Sequence, residues 1–456
     1  MNTFTSINKL DIYRRLSNGD EVLVGQMAQN KQGVFFQYDD DYLKKYHSLS
    51  PFTLDFSNML SQAPKQPHLG LQGVFADSLP DGWGLLLMDR VFRQQGIQPQ
   101  QVTAMDRLAY IGNSGIGALL YQPVLDWKDS SNDQWIELAS LGEQATQLFD
   151  GEANEVLLAL ANAGGSGGAR PKALIYIDST DGFKQNTQIS TLPQDHLEPW
   201  LIKFTSQHLL LGHDEGLCEA AYLSMAKNAG IEVPEWRLFD APEYTHAKAW
   251  LAMKRFDCST DDDLLQKSIK TGGGVLSKSN KLEHDRQGRY HTHTLCGLLD
   301  ADFRQPSMDY EDLIKASQVL CNSPAVGQQQ FTRAMFNLFA ANQDDHTKNW
   351  SFLQDDNGQW RLAPFYDVTF SQTPHNQHTM SYAGYGQEPT IKAVQQLAAQ
   401  ANYSWKDAQH EIANVIESLS KWEGTAKDLS ISPEIIKLVS KQLDETYRLN
   451  KKLCVF

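Results

Sequence analysis

The order of local patterns between residues 162 and 367 constrains the fold more than any other feature of the chain. A glycine-rich segment, Asn162–Lys172 (NAGGSGGARPK), comes first. An apolar strand pattern that contains Lys203, a helix pattern that contains Glu219 and a further strand pattern at Trp250–Phe256 follow it. A mostly helical region then leads to Asp367. This order predicts an α+β fold with two lobes, of which the second is mostly helical.

The residues before this region predict a smaller α+β unit. Turn signals at Asn18-Gly19 and Gln32-Gly33 separate short strand patterns, which indicates an antiparallel sheet. Helices are predicted at Trp83–Gln94 and Trp135–Phe149. The polar stretch Asp126–Asp133 marks the first domain boundary. We therefore predict three domains, at residues 1–125, at residues 134–257 with the glycine-rich segment, and at residues 258–456.

Length and charge narrow the possible functions. A chain of 456 residues is too long for one ordinary core. A net charge of -15 argues against direct wrapping of nucleic acid, so any link to DNA is expected to run through a partner. The 5 cysteines are scattered without metal-binding spacing, which suggests a reducing compartment. Neither a signal peptide nor an apolar stretch of about 20 residues is found, so we expect a cytoplasmic protein without a membrane partner.

The sharpest chemical pattern lies between a helix pattern and a predicted hairpin. Asp344 and Asn349 have the D-x-x-x-x-N spacing of a kinase catalytic loop, and the hairpin after them ends at Asp367. Phosphoryl transfer needs one carboxylate for the substrate hydroxyl and oxygen ligands for Mg²⁺. Asp344 is therefore the predicted catalytic residue, and Asn349 and Asp367 are the predicted metal ligands. Lys348 is predicted to neutralise charge on the transferred phosphoryl group.

The alternative for this stretch is a polar turn, because Asp and Asn favour turns in any case. The apolar helix before it and the hairpin after it favour the catalytic interpretation. His346 is predicted to be a neighbour of the bound nucleotide and metal, although it could equally be a structural or a catalytic group. His291 and His293 are predicted to lie on the surface or in a loop.

The segment QDDHTKNWSFL, which is followed by RLAPFYDVTFS, resembles the signature of the HipA family of bacterial serine/threonine kinase toxins. The likeness extends to Phe75–Gly84 (FADSLPDGWG), Ile111–Leu120 (IGNSGIGALL) and Leu217–Phe239. It implies a bilobal protein-kinase-like fold behind a small N-terminal α+β domain. It also implies the roles given above to the catalytic and metal-binding residues. The family usually has Thr where this chain has Gln343, a position that precedes the chemistry, so we expect no loss of activity.

The nucleotide end of the predicted site rests mainly on Lys203. A lysine in an apolar strand is costly unless it is paired, so we predict that it contacts the α- and β-phosphates of ATP, with Glu219 as its partner. The alternative is a strand lysine whose ammonium group reaches solvent. Lys172 is the rival, because it directly follows the glycine-rich segment and would close that loop.

Glycine-rich loops can bring backbone N–H groups close to phosphate oxygens. Gly167 and Gly168 are therefore predicted to bind the nucleotide, with Arg170 as an additional cation, although a flexible linker is the alternative. The resemblance implies that Ser166 is autophosphorylated. Residues 253–257 resemble the hinge between the lobes of the family, where Lys254, Phe256 and Asp257 would bind the nucleotide, the first two through their backbone. An ordinary strand end is the alternative there.

The resulting prediction is a serine/threonine protein kinase that depends on ATP and Mg²⁺. By resemblance it would be the toxin of a type II toxin–antitoxin system, with a HipB-like helix-turn-helix antitoxin as partner. Its substrate would be a host protein of translation, such as an aminoacyl-tRNA synthetase. The alternatives are a small-molecule kinase, a regulatory pseudokinase that binds nucleotide without transfer, and, more distantly, a phosphohydrolase built on Asp345 and His346.

Overall fold

The structure is a computed structural model that describes residues 4–125, 135–153, 160, 163, 167–180, 188–190, 197–259, 287–305, 308–373 and 375–454. The chain divides into two compact units. Unit 1 consists of Met1–Phe204, Met253–His293 and Leu353–Gln359. Unit 2 consists of Thr205–Ala252, Thr294–Phe352 and Trp360–Phe456. The division into three domains stays a prediction.

The strands are β1 (Lys9–Arg15), β2 (Glu21–Asn30), β3 (Gly33–Tyr38), β4 (Ser61–Gln62), β5 (Leu119–Gln122), β6 (Trp135–Glu137), β7 (Lys172–Asp178), β8 (Gln188–Ser190), β9 (Leu197–Lys203), β10 (Trp236–Asp240), β11 (Ala249–Lys254), β12 (His291–Thr294), β13 (Ser351–Gln354) and β14 (Trp360–Leu362).

The helices are α1 (Asp40–Lys45), α2 (Gly73–Ala76), α3 (Gly82–Gln94), α4 (Ala104–Ile111), α5 (Leu138–Phe149), α6 (Glu215–Asn228), α7 (Leu295–Leu298), α8 (Tyr310–Cys321), α9 (Pro324–Ala340), α10 (Ile391–Gln400), α11 (Trp405–Leu419), α12 (Trp422–Asp428) and α13 (Pro433–Asn450). Short 3₁₀ turns lie at Pro99–Gln101, Gly212–Asp214, Glu243–Thr245, Thr347–Asn349 and Lys451–Cys454.

The first sheet of unit 1 is antiparallel and has the strand order β4-β3-β2-β1-β5. Gly19, at a φ of 88°, lies in the turn between β1 and β2, where its lack of a side chain permits the left-handed backbone. Alternate residues such as Leu10 and Ile12 are fully buried, so one face of the sheet packs on a core. Both predicted hairpins are confirmed.

The second sheet of unit 1 brings the two candidate lysines together. Strands β6, β8, β7 and β9 are neighbours in that order. In the antiparallel register of β7 and β9, Lys172 is directly opposite Lys203. Trp135–Phe149 was predicted to be one helix, and this was wrong at its start: Trp135–Glu137 pairs with β8, and the helix begins at Leu138. Strand pairing outweighs the helical pattern there.

Unit 2 is mostly helical, as predicted. Its core collects apolar residues from α6, α8, α9 and α11, among them Tyr222, Phe336 and Val415. The Tyr222 hydroxyl donates to the carbonyl of Ala340, at the end of α9, over 2.9 Å. The 17-residue helix α9 is buried along most of its length and ends where the candidate catalytic loop begins.

Two histidines depart from their predicted surface or loop position. His291 and His293 lie on β12 and are fully buried within unit 1. The His293 ring nitrogens lie 2.5 Å from the Asp77 carboxylate and 2.9 Å from the Ser50 hydroxyl, while His291 Nε2 lies 2.9 Å from the carbonyl of Leu49. Burial lowers the pKa of His291 well below its ordinary value. Polar partners far away in sequence therefore replace water around these rings.

Candidate active site

The predicted catalytic loop begins after α9 and is fixed to a neighbouring segment through its backbone. Ala341 ends the helix in the left-handed conformation, at a φ of 52°. The Gln343 N–H donates to the carbonyl of Ser371 over 3.3 Å, and the Asp344 N–H donates to the Ser371 hydroxyl over 3.0 Å. The Ser371 N–H in turn donates to the carbonyl of Ala341 over 3.2 Å. Ser371 therefore determines where the backbone of Asp344 lies.

Gln343 stands at the position where the resembled family usually has Thr, and its side chain also holds this region together. Its amide oxygen accepts the Thr373 N–H over 2.9 Å, and its amide nitrogen donates to Asn376 Oδ1 over 2.7 Å. The side chain therefore bridges two residues of the facing loop.

Asp344 and Asp345 are neighbours with opposite environments. The Asp344 side chain is 51% exposed and the Asp345 side chain is 0% exposed. An exposed carboxylate can meet a substrate hydroxyl, whereas a fully buried carboxylate must be satisfied by the protein. Of the two, only Asp344 has the exposure that its predicted catalytic role requires.

Four donors satisfy the buried Asp345 carboxylate. The Tyr310 hydroxyl donates to it over 2.6 Å and the His378 ring over 2.9 Å. The N–H groups of Thr379 and Met380 donate over 2.8 and 3.2 Å. Burial, together with the nearby Asp345 charge, raises the pKa of Tyr310 well above its ordinary value, so this hydroxyl stays protonated. Asp345 therefore anchors the loop and leaves Asp344 as the accessible carboxylate.

The two predicted metal ligands lie in segments that contact each other. The Asn349 side-chain NH₂ donates to the carbonyl of Asp344 over 2.8 Å, which leaves the amide oxygen as the atom suited to a cation. Asp367 has a φ of 57°, in the left-handed region. Tyr366, the residue before it, donates to the carbonyl of Lys348 over 2.9 Å. The hairpin end that carries Asp367 is thus tied to the residue next to Asn349.

An oxygen site of this kind fits magnesium better than zinc. In the described part of the chain, no group of three or more His, Cys, Asp or Glu side chains is arranged to hold a metal. Mg²⁺ usually takes one or two protein oxygens and completes its shell with water and phosphate oxygens. The amide oxygen of Asn349 and the carboxylate of Asp367 are a donor set of that kind.

Phe303 is a residue of the loop environment that the sequence did not reveal. The Lys348 ammonium lies 4.6 Å from the centre of its ring, and the Arg304 guanidinium lies 4.5 Å from it. The His346 ring is 5.5 Å away, and its Nε2 atom is 3.7 Å from the Asp344 carboxylate. An aromatic face attracts cations, so the Phe303 ring restrains the ammonium group of the loop residue Lys348. No sequence pattern marks this residue, because it lies far from the motif along the chain.

The predicted phosphate-binding residues of unit 1 cluster at the start of β7. Lys172 and Lys203 are each 5% exposed, and residues that face each other across an antiparallel pair project to the same side of the sheet. The Lys172 ammonium donates to the carbonyl of Gly167 over 2.7 Å. Arg170 is half-buried in the same segment. The sequence left these lysines as rivals, and the register places both at one position.

The structure places two of three further predicted residues, and neither of their positions tests the predicted role. Ser166 lies outside the described residues. Glu219 is 2% exposed, on α6 in unit 2. Lys254 ends β11, and its ammonium lies 3.2 Å from the Glu198 carboxylate.

The carboxylate of Asp257, a residue predicted to contact a nucleotide, is buried and contacts three other residues of unit 1. Its carboxylate lies 2.6 Å from Arg255 and 3.1 Å from Arg289, and it accepts the Gly117 N–H over 2.7 Å. Burial by itself would raise the pKa of Asp257, but the two guanidinium groups lower it well below its ordinary value. The carboxylate therefore joins Gly117, Arg255 and Arg289 within unit 1, and nucleotide contact by Phe256 and Asp257 stays a prediction.

Comparisons with known proteins place the chain in a family. The sequence model of the HipA-like C-terminal domain matches residues 164–423, and that of the HipA N-terminal domain matches residues 19–122. The fold is an α+β fold similar to that of the HipA toxin. The chain belongs to the HipA family. No curated protein matches it.

Solved structures similar to the chain include the following two. One is the HipA, HipB and operator DNA complex of the toxin–antitoxin system of Shewanella oneidensis MR-1, with 14% identity and a TM-score of 0.65, over 98% of this chain and 100% of that one. The other is the proinflammatory kinase CtkA of Helicobacter pylori, with 12% identity and a TM-score of 0.34, over 56% of this chain and 90% of that one. The second likeness is too weak to support an inference. None of the described helices is long and apolar enough to cross a membrane.

Proposed function

We propose that this protein is a serine/threonine protein kinase that uses ATP and Mg²⁺. The observation that carries the proposal is the contrast between the half-exposed Asp344 and the buried Asp345, which holds the loop in place. Asp344 would orient the substrate hydroxyl and accept its proton. Asn349 and Asp367 would hold Mg²⁺, and Lys348 would offset charge on the transferred group.

The buried lysine pair of unit 1 supports ATP as the donor. Lys172 and Lys203 face each other across β7 and β9, so their ammonium groups offer two charged donors at one position of the sheet. The oxygens of a polyphosphate can accept hydrogen bonds from both. Lys172 and Lys203 would therefore bind phosphate oxygens together, and the backbone of the hinge residues Lys254 and Phe256 would contact adenine.

Transfer of labelled phosphate from ATP into proteins of a cell lysate tests the chemistry. Asp344→Asn should lower transfer by about 10²- to 10⁴-fold with nucleotide binding retained, because the hydroxyl loses its base. Asp367→Asn should weaken Mg²⁺-nucleotide binding as well as the rate. Asp428→Asn, at an exposed position on α12, is the matched control and should behave as wild type. Equal turnover in the Asp344 variant and the control would contradict the proposal.

The same experiment separates the alternative functions. Label in a small molecule rather than a protein would indicate a small-molecule kinase. Nucleotide binding without transfer in the wild-type chain would indicate a pseudokinase. Identification of the labelled protein would test the proposed substrate, a component of translation such as an aminoacyl-tRNA synthetase.

We also propose that the protein is the toxin of a toxin–antitoxin pair. The similar structure from Shewanella oneidensis contains HipB and operator DNA, which supports an antitoxin as partner. By the resemblance given above, this antitoxin would carry a helix-turn-helix and would make the contact with DNA. Expression of the chain alone should slow growth, and Asp344→Asn should abolish this effect. Unchanged growth arrest in that variant would mean that kinase activity is not its cause.

Autophosphorylation of Ser166 is the proposed self-regulation. A phosphate there would add about -1.5 to -2 charges near the nucleotide phosphates. At about 5 Å and an effective dielectric of about 20, each pair of unit charges repels by roughly 3 kcal/mol. Mass spectrometry of the active enzyme after incubation with Mg²⁺-ATP tests this, with Asp344→Asn as the control. An unmodified Ser166 in the active enzyme would rule the modification out.

A further inference from the structure

The segment Asp81–Trp83 has no role in the proposed chemistry, yet it is hydrogen-bonded to the end of the glycine-rich segment within unit 1. The Gly168 N–H donates to the Asp81 carboxylate. The Trp83 N–H donates to the carbonyl of Gly168 over 3.0 Å. Both hydrogen-bonding groups of Gly168 are therefore taken by residues that lie more than 80 positions earlier in the chain. The Gly168 N–H, which was predicted to approach a phosphate oxygen, is engaged by Asp81 instead.

The same segment also forms a hydrogen bond with Lys172, the first lysine of the proposed phosphate-binding pair. The Trp83 indole N–H donates to the carbonyl of Lys172 over 2.8 Å. The Trp83 side chain is 1% exposed, and its ring lies 6.3 Å from that of Phe149. A packed indole has little rotational freedom, so its hydrogen bond holds the backbone of Lys172 at the start of β7.

Gly82 shows how closely the two segments approach. It has a φ of 43°, which side-chain-bearing residues rarely adopt. A Cβ atom on Gly82 would lie 2.8 Å from the Cα of Ala169 and 2.8 Å from the carbonyl oxygen of Gly168. Only glycine permits so close an approach of residue 82 to Gly168 and Ala169.

We propose that Asp81, Gly82 and Trp83 are positioning residues for the nucleotide phosphates. They hold Gly168 and Lys172 in place before nucleotide binds, so that the ordering of this backbone does not have to accompany binding. Asp81 suits this task because a charged acceptor strengthens a hydrogen bond from a backbone N–H. The role assigned to these residues rests on the proposed function, since it presumes that the glycine-rich segment binds ATP.

Binding of Mg²⁺ with a non-hydrolysable ATP analogue to the full-length chain, measured by calorimetry, tests the role of Asp81. Asp81→Ala should raise the Kd about tenfold, which corresponds to about 1.4 kcal/mol. Asp81→Asn should restore most of the affinity, because its amide oxygen can accept the same N–H. In steady-state kinetics, Asp81→Ala should raise KM for ATP and leave kcat within about twofold of wild type.

Two further variants serve as a matched control and as a second disruption of the same contact. Asp41→Ala makes the same chemical change in unit 1 at a side chain that is 72% exposed, and it should bind as wild type. Gly82→Ala should weaken binding in the same direction as Asp81→Ala, because a Cβ atom forces the segments apart. Wild-type or tighter nucleotide binding by a folded Asp81→Ala variant would overturn the proposal, since a carboxylate that merely competes with phosphate predicts tighter binding on its removal.

Hydrogen exchange separates a failure of this proposal from a failure of the proposed function. If the wild-type chain binds no nucleotide, the proposed function fails whatever the variants do. Exchange in the peptide that contains Gly168 then tests, without nucleotide, whether Asp81 orders this backbone. Faster exchange in Asp81→Ala than in Asp41→Ala supports the positioning role, and equal exchange overturns it.

Discussion

The candidate catalytic loop of unit 2 and the glycine-rich segment of unit 1 are held in different ways. The catalytic loop carries its own anchor, because Asp345 directly follows Asp344 and is fully buried among four donors. The described end of the glycine-rich segment is held from outside, by Asp81 and Trp83. The anchor of the catalytic loop, Asp345, is a fully buried carboxylate, whereas Asp81, which holds Gly168, is only partly buried and can be changed without removing a core side chain. Substitutions at the two anchors should therefore have different consequences.

The largest effect on stability is expected at the internal anchor. Asp345→Ala leaves the Tyr310 hydroxyl and the His378 ring without their buried acceptor, and we expect a loss of about 3–5 kcal/mol in the free energy of unfolding. Urea denaturation measures it. Asp344→Ala is the matched control and should change the free energy of unfolding by less than about 0.5 kcal/mol, because its side chain is half exposed. Similar losses in both variants would contradict the contrast between the two carboxylates.

A smaller change in free energy, here in ATP binding, is expected at the lysine pair of unit 1. Lys172→Met and Lys203→Met should each weaken ATP binding on the order of ten- to a hundredfold, because each removes charge-assisted hydrogen bonds worth about 1.5–3 kcal/mol. Since the two residues face each other, the effects in the double variant should not add. Calorimetry on the two single variants and the double variant measures the coupling. Strict additivity would show that the lysines do not share a ligand.

The smallest effect is expected at Phe303. Phe303→Leu keeps an apolar side chain but removes the aromatic face near Lys348 and Arg304. Loss of a cation–π contact of about 0.5–1 kcal/mol predicts a two- to fivefold fall in the rate of transfer. Phe303→Tyr keeps the face and should retain activity. A fall of equal size in both variants would mean that ring packing rather than the cation contact matters.

The family comparison sharpens the difference between the two regions. The match to the HipA-like C-terminal domain begins at residue 164, within the glycine-rich segment, and the match to the HipA N-terminal domain ends at residue 122. Asp81–Trp83 therefore belongs to the part of the chain covered by one model, and Gly168 to the part covered by the other. The contacts between them predict that the N-terminal part contributes to nucleotide affinity.

The sequence alone was sufficient wherever near neighbours decide the structure. The turns at Asn18-Gly19 and Gln32-Gly33, the helical unit 2 and the hairpin that leads to Asp367 were all predictable. Spacing also predicted that Asp344 and Asn349 lie close together, which follows from the short loop between them; their catalytic and metal-binding roles stay predictions. Turn chemistry, apolar periodicity and short loops act over a few residues, so a single sequence displays them directly.

Burial and long-range partners were decided only by the tertiary structure. Sequence could not distinguish the exposed Asp344 from the buried Asp345, since the partners of Asp345 lie more than 30 positions away. It could not place Lys172 opposite Lys203, because strand register depends on pairing across a long connection. His293 was misplaced at the surface for the same reason. The environment of a polar side chain is set by whatever packs against it, and that packing exists only once distant parts of the chain have met.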